Sequence, residues 1–185
     1  MKRRILLLAC SASLVTACST GKDTTDPAAK KRAIDAEVDG ALADLYAKTP
    51  AARPLAAEAK GILVMPKIVS AGFIVGGSYG EGALRKGNTT ASYYSVGAGS
   101  VGLLAGAQTK AMYLLFMTPE ALQKFEDSKG WTAGADASVV VLDESAAAQV
   151  DTRSATKPVI GFVRSTGGLM ANLSLDGTKF NKLTL

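Results

Sequence analysis

Gly61-Ile62-Leu63-Val64-Met65-Pro66 is where the texture of the chain changes. Four consecutive apolar residues, two of them β-branched, lie between a glycine and a proline, which fits a short buried strand. Residues 66–71 then read as a turn or a short helical piece, because proline commonly closes a strand. Beyond them, residues 72–86 are spaced by glycine. In an extended chain Phe73, Val75 and Tyr79 share one face, while Gly76, Gly80 and Gly82 share the other. Gly87-Asn88 marks a turn, and residues 89–96 read as the returning strand.

The β texture continues to the end of the chain. Residues 97–109 and 110–117 are apolar and β-prone, and Thr118-Pro119 opens a helix through Phe125. Trp131 follows Gly130 in a loop. Residues 138–142 form another short strand, and the alanine-rich stretch 144–156 reads as a loop or a short helix. Strands at 159–164 and 169–175 are separated by the hairpin signal Ser165-Thr166-Gly167-Gly168. In the second of these Leu169, Ala171, Leu173 and Leu175 face one way and Met170, Asn172 and Ser174 the other, the period of a sheet with one buried face.

Upstream of Gly61 the period is helical. Asp26 precedes Pro27, a capping residue followed by a first-turn proline. Ile34, Val38, Ala41, Leu42 and Leu45 recur at steps of three and four to about Lys48, and Thr49-Pro50 closes the helix. Lys30, Lys31, Arg32 and Lys48 are balanced by Asp35, Glu37, Asp39 and Asp44. That balance favours a helix packed on its own domain over one lying on a membrane surface. Pro54 opens a second short helix over 55–60, with Gly61 as its stop. Helices first, then many short strands, give an α+β fold: N-terminal helices followed by a curved, mostly antiparallel β-sheet or barrel-like core.

The first 26 residues have a different purpose. Lys2, Arg3 and Arg4 precede an apolar run from Ile5 to Val15, and small residues lead into Cys18, the layout of a secretory signal too short to span a bilayer. Leu14-Val15-Thr16-Ala17-Cys18 resembles the bacterial lipobox, whose cysteine receives a diacylglycerol and becomes the acylated first residue. Leu7-Leu8-Ala9-Cys10 also fits, but leaves only two apolar residues after the basic cluster. Residues 1–17 are therefore expected to be the signal, residues 18–26 a lipidated polar tether, and residues 27–185 a single domain. Ser19 is not aspartate, which by resemblance to Gram-negative sorting patterns implies the outer membrane, with the domain facing the periplasm. Loss of the three basic signal residues leaves 18 Lys and Arg against 16 Asp and Glu, a formal charge of +2 in place of +5. So small an excess does not argue for nucleic acid as a partner.

Chemistry is constrained by what the chain lacks. It has no histidine and only Cys10 and Cys18, so once the signal is cut and Cys18 acylated no thiol or imidazole remains. Ser-His-Asp and Cys-His catalysis and the usual zinc ligands are thereby removed. Glu81, Asp136, Asp143, Glu144 and Asp176 are scattered without calcium-loop spacing. No enzyme activity, metal or cofactor is expected. Gly97-Ala98-Gly99-Ser100-Val101-Gly102 satisfies G-x-G-x-x-G, but the surrounding residues read as strand where a dinucleotide site needs a helix to open. Gly102 to Gly106 is a G-x-x-x-G in an uncharged stretch, yet its polar and glycine content makes a poor membrane helix. A small outer-membrane barrel is the more serious alternative; the N-terminal helices and the lack of aromatic girdles count against it.

Several segments together resemble the SYLF domain. They are Lys60 to Lys67, Ala71-Gly72-Phe73, Tyr79 to Gly82, Tyr93-Tyr94-Ser95, Gly99 to Gly102 and Gly106-Ala107-Gln108. Phe125, Trp131, Gly134 to Val139, Gly168 to Ala171 and Ser174 to Gly177 continue the match in order. The resemblance implies a non-catalytic lipid-binding module. Eukaryotic members are also linked to phosphoinositide membranes and actin, and bacterial members are commonly exported or lipidated. Membrane phospholipid is thus the expected partner, with an envelope protein as the alternative. Lys60, Lys67, Arg85, Lys86 and Lys110, near strand ends and turns, are the candidate headgroup contacts.

Overall fold

The computed structural model describes residues 26–72, 75–101, 106–142, 157–165, 168–169, 175 and 177–185. Cys18, the tether, and the stretches 144–156 and 170–174 lie outside them.

Two helices come first, α1 (Pro27–Lys48) and α2 (Ala52–Glu58). Asp26 caps α1 by accepting from the Ala28 amide at 3.1 Å, and Pro27 occupies the first turn as the sequence predicts. Helix α2 starts earlier than expected, at Ala52. Pro54 is its third residue, where no intrahelical N–H bond is yet needed.

Among the described residues nine strands follow: β1 (Gly61–Gly72), β2 (Val75–Lys86), β3 (Thr89–Val101), β4 (Gly106–Phe116), β5 (Trp131–Thr132), β6 (Val139–Val141), β7 (Val159–Ser165), β8 (Gly168–Leu169) and β9 (Lys179–Leu183). Helix α3 (Pro119–Asp127) lies between β4 and β5. The strands form one curled half-barrel sheet in the order β5-β9-β3-β2-β1-β4-β7-β6, with β8 also on β7. Among the described strand pairs only β6–β7 is parallel. The α+β class and the curved, mostly antiparallel sheet are as the sequence indicates.

Strand β1 corrects one expectation. It does not stop at Pro66 but runs on to Gly72. The register against both neighbours slips by one residue around Pro66, between Val64 and Lys67 on β2 and between Met65 and Ile68 on β4. A bulge tolerates proline inside a central strand because the extra residue leaves the ladder and its missing N–H costs nothing. The bulge also presses β1 against β2. A Cβ on Gly80 would sit 2.6 Å from the Lys67 carbonyl oxygen, and one on Gly82 would strike that of Val64.

The sheet buries both faces. On one, Ile34, Val38 and Leu45 of α1 and Ala52 and Leu55 of α2 pack on Val64, Ala83, Tyr113, Leu115, Ile160 and Phe162. The apolar stripe of α1 is thus spent inside the domain, each full burial contributing about 1.5–3 kcal/mol. On the other, Leu122 and Phe125 of α3 join Leu63, Met65, Leu84, Leu114 and Phe116. Tyr94, Phe116, Trp131 and Phe180 ring Phe125, with centroids 4.7–6.4 Å from it. Trp131, expected in a loop, forms the short strand β5 against β9, a strand the sequence did not signal. A sheet packed with protein on both sides is unlike a lipid-facing barrel wall.

Candidate lipid-facing site

Helix α1 is fastened to the sheet by a row of polar contacts. Lys30 Nζ meets Glu81 Oε1 at 2.8 Å, and the Tyr79 hydroxyl donates to the same oxygen at 2.7 Å. Asp35 accepts from Thr90 Oγ1 at 2.6 Å and from the Tyr93 hydroxyl at 2.9 Å. The Arg85 guanidinium reaches Asp39 at 2.5 Å and Asp35 at 3.8 Å. Tyr113 donates to the Ala41 carbonyl at 3.0 Å, and buried Arg164 lies 3.5 Å from Asp44. Beyond Glu81 the α1 face of the sheet is open among the described residues, as the exposure of Val69 and Tyr79 shows.

That uncovered end carries Val69 and Tyr79, directly paired across β1 and β2. They are 41% and 57% exposed, the large hydrophobic residues most open to solvent among the described residues. A groove of about 300 Å³ lies beside them, walled by Lys30, Ala33, Ile34 and Glu37 of α1 and by Lys67 and Glu81 of the sheet. The other face of the same end is polar: the Ser70 and Ser78 hydroxyls are 2.7 Å apart, and Gln108 is exposed.

The five candidate headgroup cations fall on both faces. Arg85 is held by the two α1 aspartates with its side chain 11% exposed, so it serves the fold first. Lys86 pairs with Glu126 of α3 at 2.7 Å. Lys60 is exposed just before β1, its amide bonded to the Phe116 carbonyl. Lys67 is exposed on the α1 face beside Val69 and Tyr79. Lys110 stands opposite Ile68 on the α3 face, half-buried, and its burial pulls the ammonium pKa below the usual lysine value. Lys67 and Lys110 cannot meet one flat surface together. The alternation of β2 puts Tyr79 on a face with Val75 and with Phe73, which lies outside the described residues, but no local pattern marks Val69 or Tyr79 as exposed.

Glu81 links the groove to pH. Burial alone would raise its pKa, but the Lys30 ammonium and the Tyr79 hydroxyl outweigh it and hold the carboxyl below its ordinary 4.5. A depressed folded value means the contribution is complete above the unfolded pKa and lost as pH falls through the folded one. Because the carboxylate is only partly buried, the pair contributes about 0.5–1 kcal/mol. Urea melts of Glu81→Gln should therefore fall below wild type by that amount at pH 7 and converge with it as pH falls below the ordinary carboxylate range. A gap that persists in acid would assign the loss to packing.

The G-x-G-x-x-G glycines Gly97 and Gly99 lie inside β3, so no helix opens at them. Among the described residues no group of three or more Asp, Glu, Cys or His could hold a metal ion. No helix of the described residues is long and apolar enough to cross a membrane.

The described residues thus present a two-sided sheet domain of the α+β class with a solvent-open apolar end. A family model described as Ysc84, Las17-binding protein actin regulator, matches residues 97–183, from within β3 to the end of β9. The matched family is the SYLF family that the sequence resembles. It is a family of lipid-binding and actin-regulating domains, not known as enzymes. The comparison with curated proteins gives no match.

Proposed function

We propose that this chain is a non-enzymatic lipoprotein of the bacterial envelope, held by an acylated Cys18, whose SYLF domain engages an anionic phospholipid surface. The match of residues 97–183 to a lipid-binding family carries the reading. The lipobox-like Leu14 to Cys18 supports the anchor, and Ser19 supports the periplasmic face of the outer membrane as its place. Lys67 is the headgroup contact best placed for it, being exposed beside an apolar surface. Arg85 and Lys86 are engaged elsewhere.

Each interfacial cation contributes on the order of 1 kcal/mol near an anionic surface. Residues 19–185 should therefore sediment with phosphatidylglycerol vesicles at low salt and be released as salt screens the contact. Lys67→Glu should weaken that binding by about tenfold, more than Lys60→Glu does. A domain indifferent to anionic lipid at low salt would favour the alternative, an envelope interaction subunit for which lipid is only the anchor.

A further inference from the structure

We propose that the Val69–Tyr79 end of the sheet is the surface that lies against the bilayer, with the tyrosine ring in the headgroup zone and Lys67 on the phosphates. The proposal rests on the anchored reading above and adds the orientation of the domain. Three observations carry it. First, Val69 and Tyr79 are cross-strand neighbours and together make an apolar spot left open among the described residues. An exposed large apolar pair is informative where isolated exposed residues are not.

Second, the chain arrives here. Lys30, Ala33 and Ile34, in the first two turns of α1, form the wall of the groove beside the pair. Only eight residues, 19–26, separate Cys18 from Pro27, at most roughly 30 Å when extended. A bilayer holding acyl chains at Cys18 is therefore within reach of this end of the domain, while Lys60 lies at the opposite end of β1.

Third, the charges around the spot suit an interface. Glu81, the carboxylate nearest it, is neutralised by Lys30 at 2.8 Å. Lys67 and Glu37 flank the groove with opposite signs, Lys67 on the sheet beside Val69 and Glu37 back along α1. A tyrosine with an apolar body and a polar tip belongs at a membrane–water boundary, and a lysine beside it can extend toward the headgroups. The opposite face of the same strands offers Ser70, Ser78 and Gln108, so only one side of this end is apolar.

The mature acylated protein permits a direct test, because Cys10 leaves with the signal and the Cys18 sulfur is blocked by its lipid. A cysteine introduced at Tyr79→Cys or Val69→Cys is then the one free thiol, and Gln123→Cys on exposed α3 is the control. Each variant is labelled with an environment-sensitive fluorophore and reconstituted into vesicles of phosphatidylethanolamine and phosphatidylglycerol. The emission of labels at 69 and 79 should rise about threefold and be quenched by nitroxide lipids, as expected for the headgroup boundary, while the label at 123 stays aqueous. Co-flotation with all three labels equally aqueous would overturn the orientation and leave the anchor standing. Failure to co-float would sink the anchored reading and the orientation with it.

Discussion

Replacing Gly82 with alanine should destabilise the domain by about 3 kcal/mol, the upper range for forcing atoms into a packed site. The cause is close approach between strands. The bulge at Pro66 brings β1 so near β2 that a Cβ at position 82 would lie 2.5 Å from Met65 Sδ and collide with the Val64 carbonyl oxygen. The sulfur could move; the carbonyl belongs to a central strand paired on both sides and cannot. Gly77 is the control, since a Cβ there meets nothing within 4 Å. Gly77→Ala should stay within about 0.5 kcal/mol of wild type in the same urea melt. Equal effects at the two positions would mean that the β1–β2 approach is not as tight as described.

The second large effect concerns location. Cys18→Ser should move the protein from the membrane to the soluble envelope fraction almost completely. Acyl chains contribute about 0.8 kcal/mol per buried methylene, and two or more anchor stably. In the proposed orientation the domain's own attachment would rest on Lys67 and the Val69–Tyr79 spot, with the cation contributing on the order of 1 kcal/mol. The difference decides that the anchor dominates. The small fraction of Cys18→Ser protein still on membranes should shrink further as salt rises, because salt screens the Lys67 part of the remaining contact. Unchanged, salt-resistant membrane association would show that the sheet domain alone suffices.

Much of the architecture is written locally. Helix α1 is bounded by a capping aspartate and a first-turn proline, and its apolar steps place Ile34, Val38 and Leu45 on the sheet as their spacing requires. Turn residues are equally direct: Gly87, expected between two strands, adopts φ 58° between β2 and β3. What local pattern could not show is what long-range pairing decides. Pro66 looks like a strand end, and only the bulge against two partners makes it a mid-strand residue. Strand β9 buries little besides Phe180 and owes its form to pairing with β3 and β5.

The site was less legible than the fold for the same reason. Arg85 and Lys86 look free in sequence, but their carboxylate partners lie 46 and 40 residues away. Whether Val69 and Tyr79 are core or surface depends on where α1 stops covering the sheet. That in turn is fixed by contacts such as Lys30–Glu81 across 51 residues. The periodicity of β2 gave the face of Tyr79 correctly and left its exposure open.

The most direct test of a lipid-held domain is the mass of its own N-terminal peptide, taken from protein extracted out of the envelope. The expected species begins at Cys18 and carries a diacylglycerol thioether. An unmodified start, or cleavage elsewhere with the protein free in the soluble fraction, would contradict it.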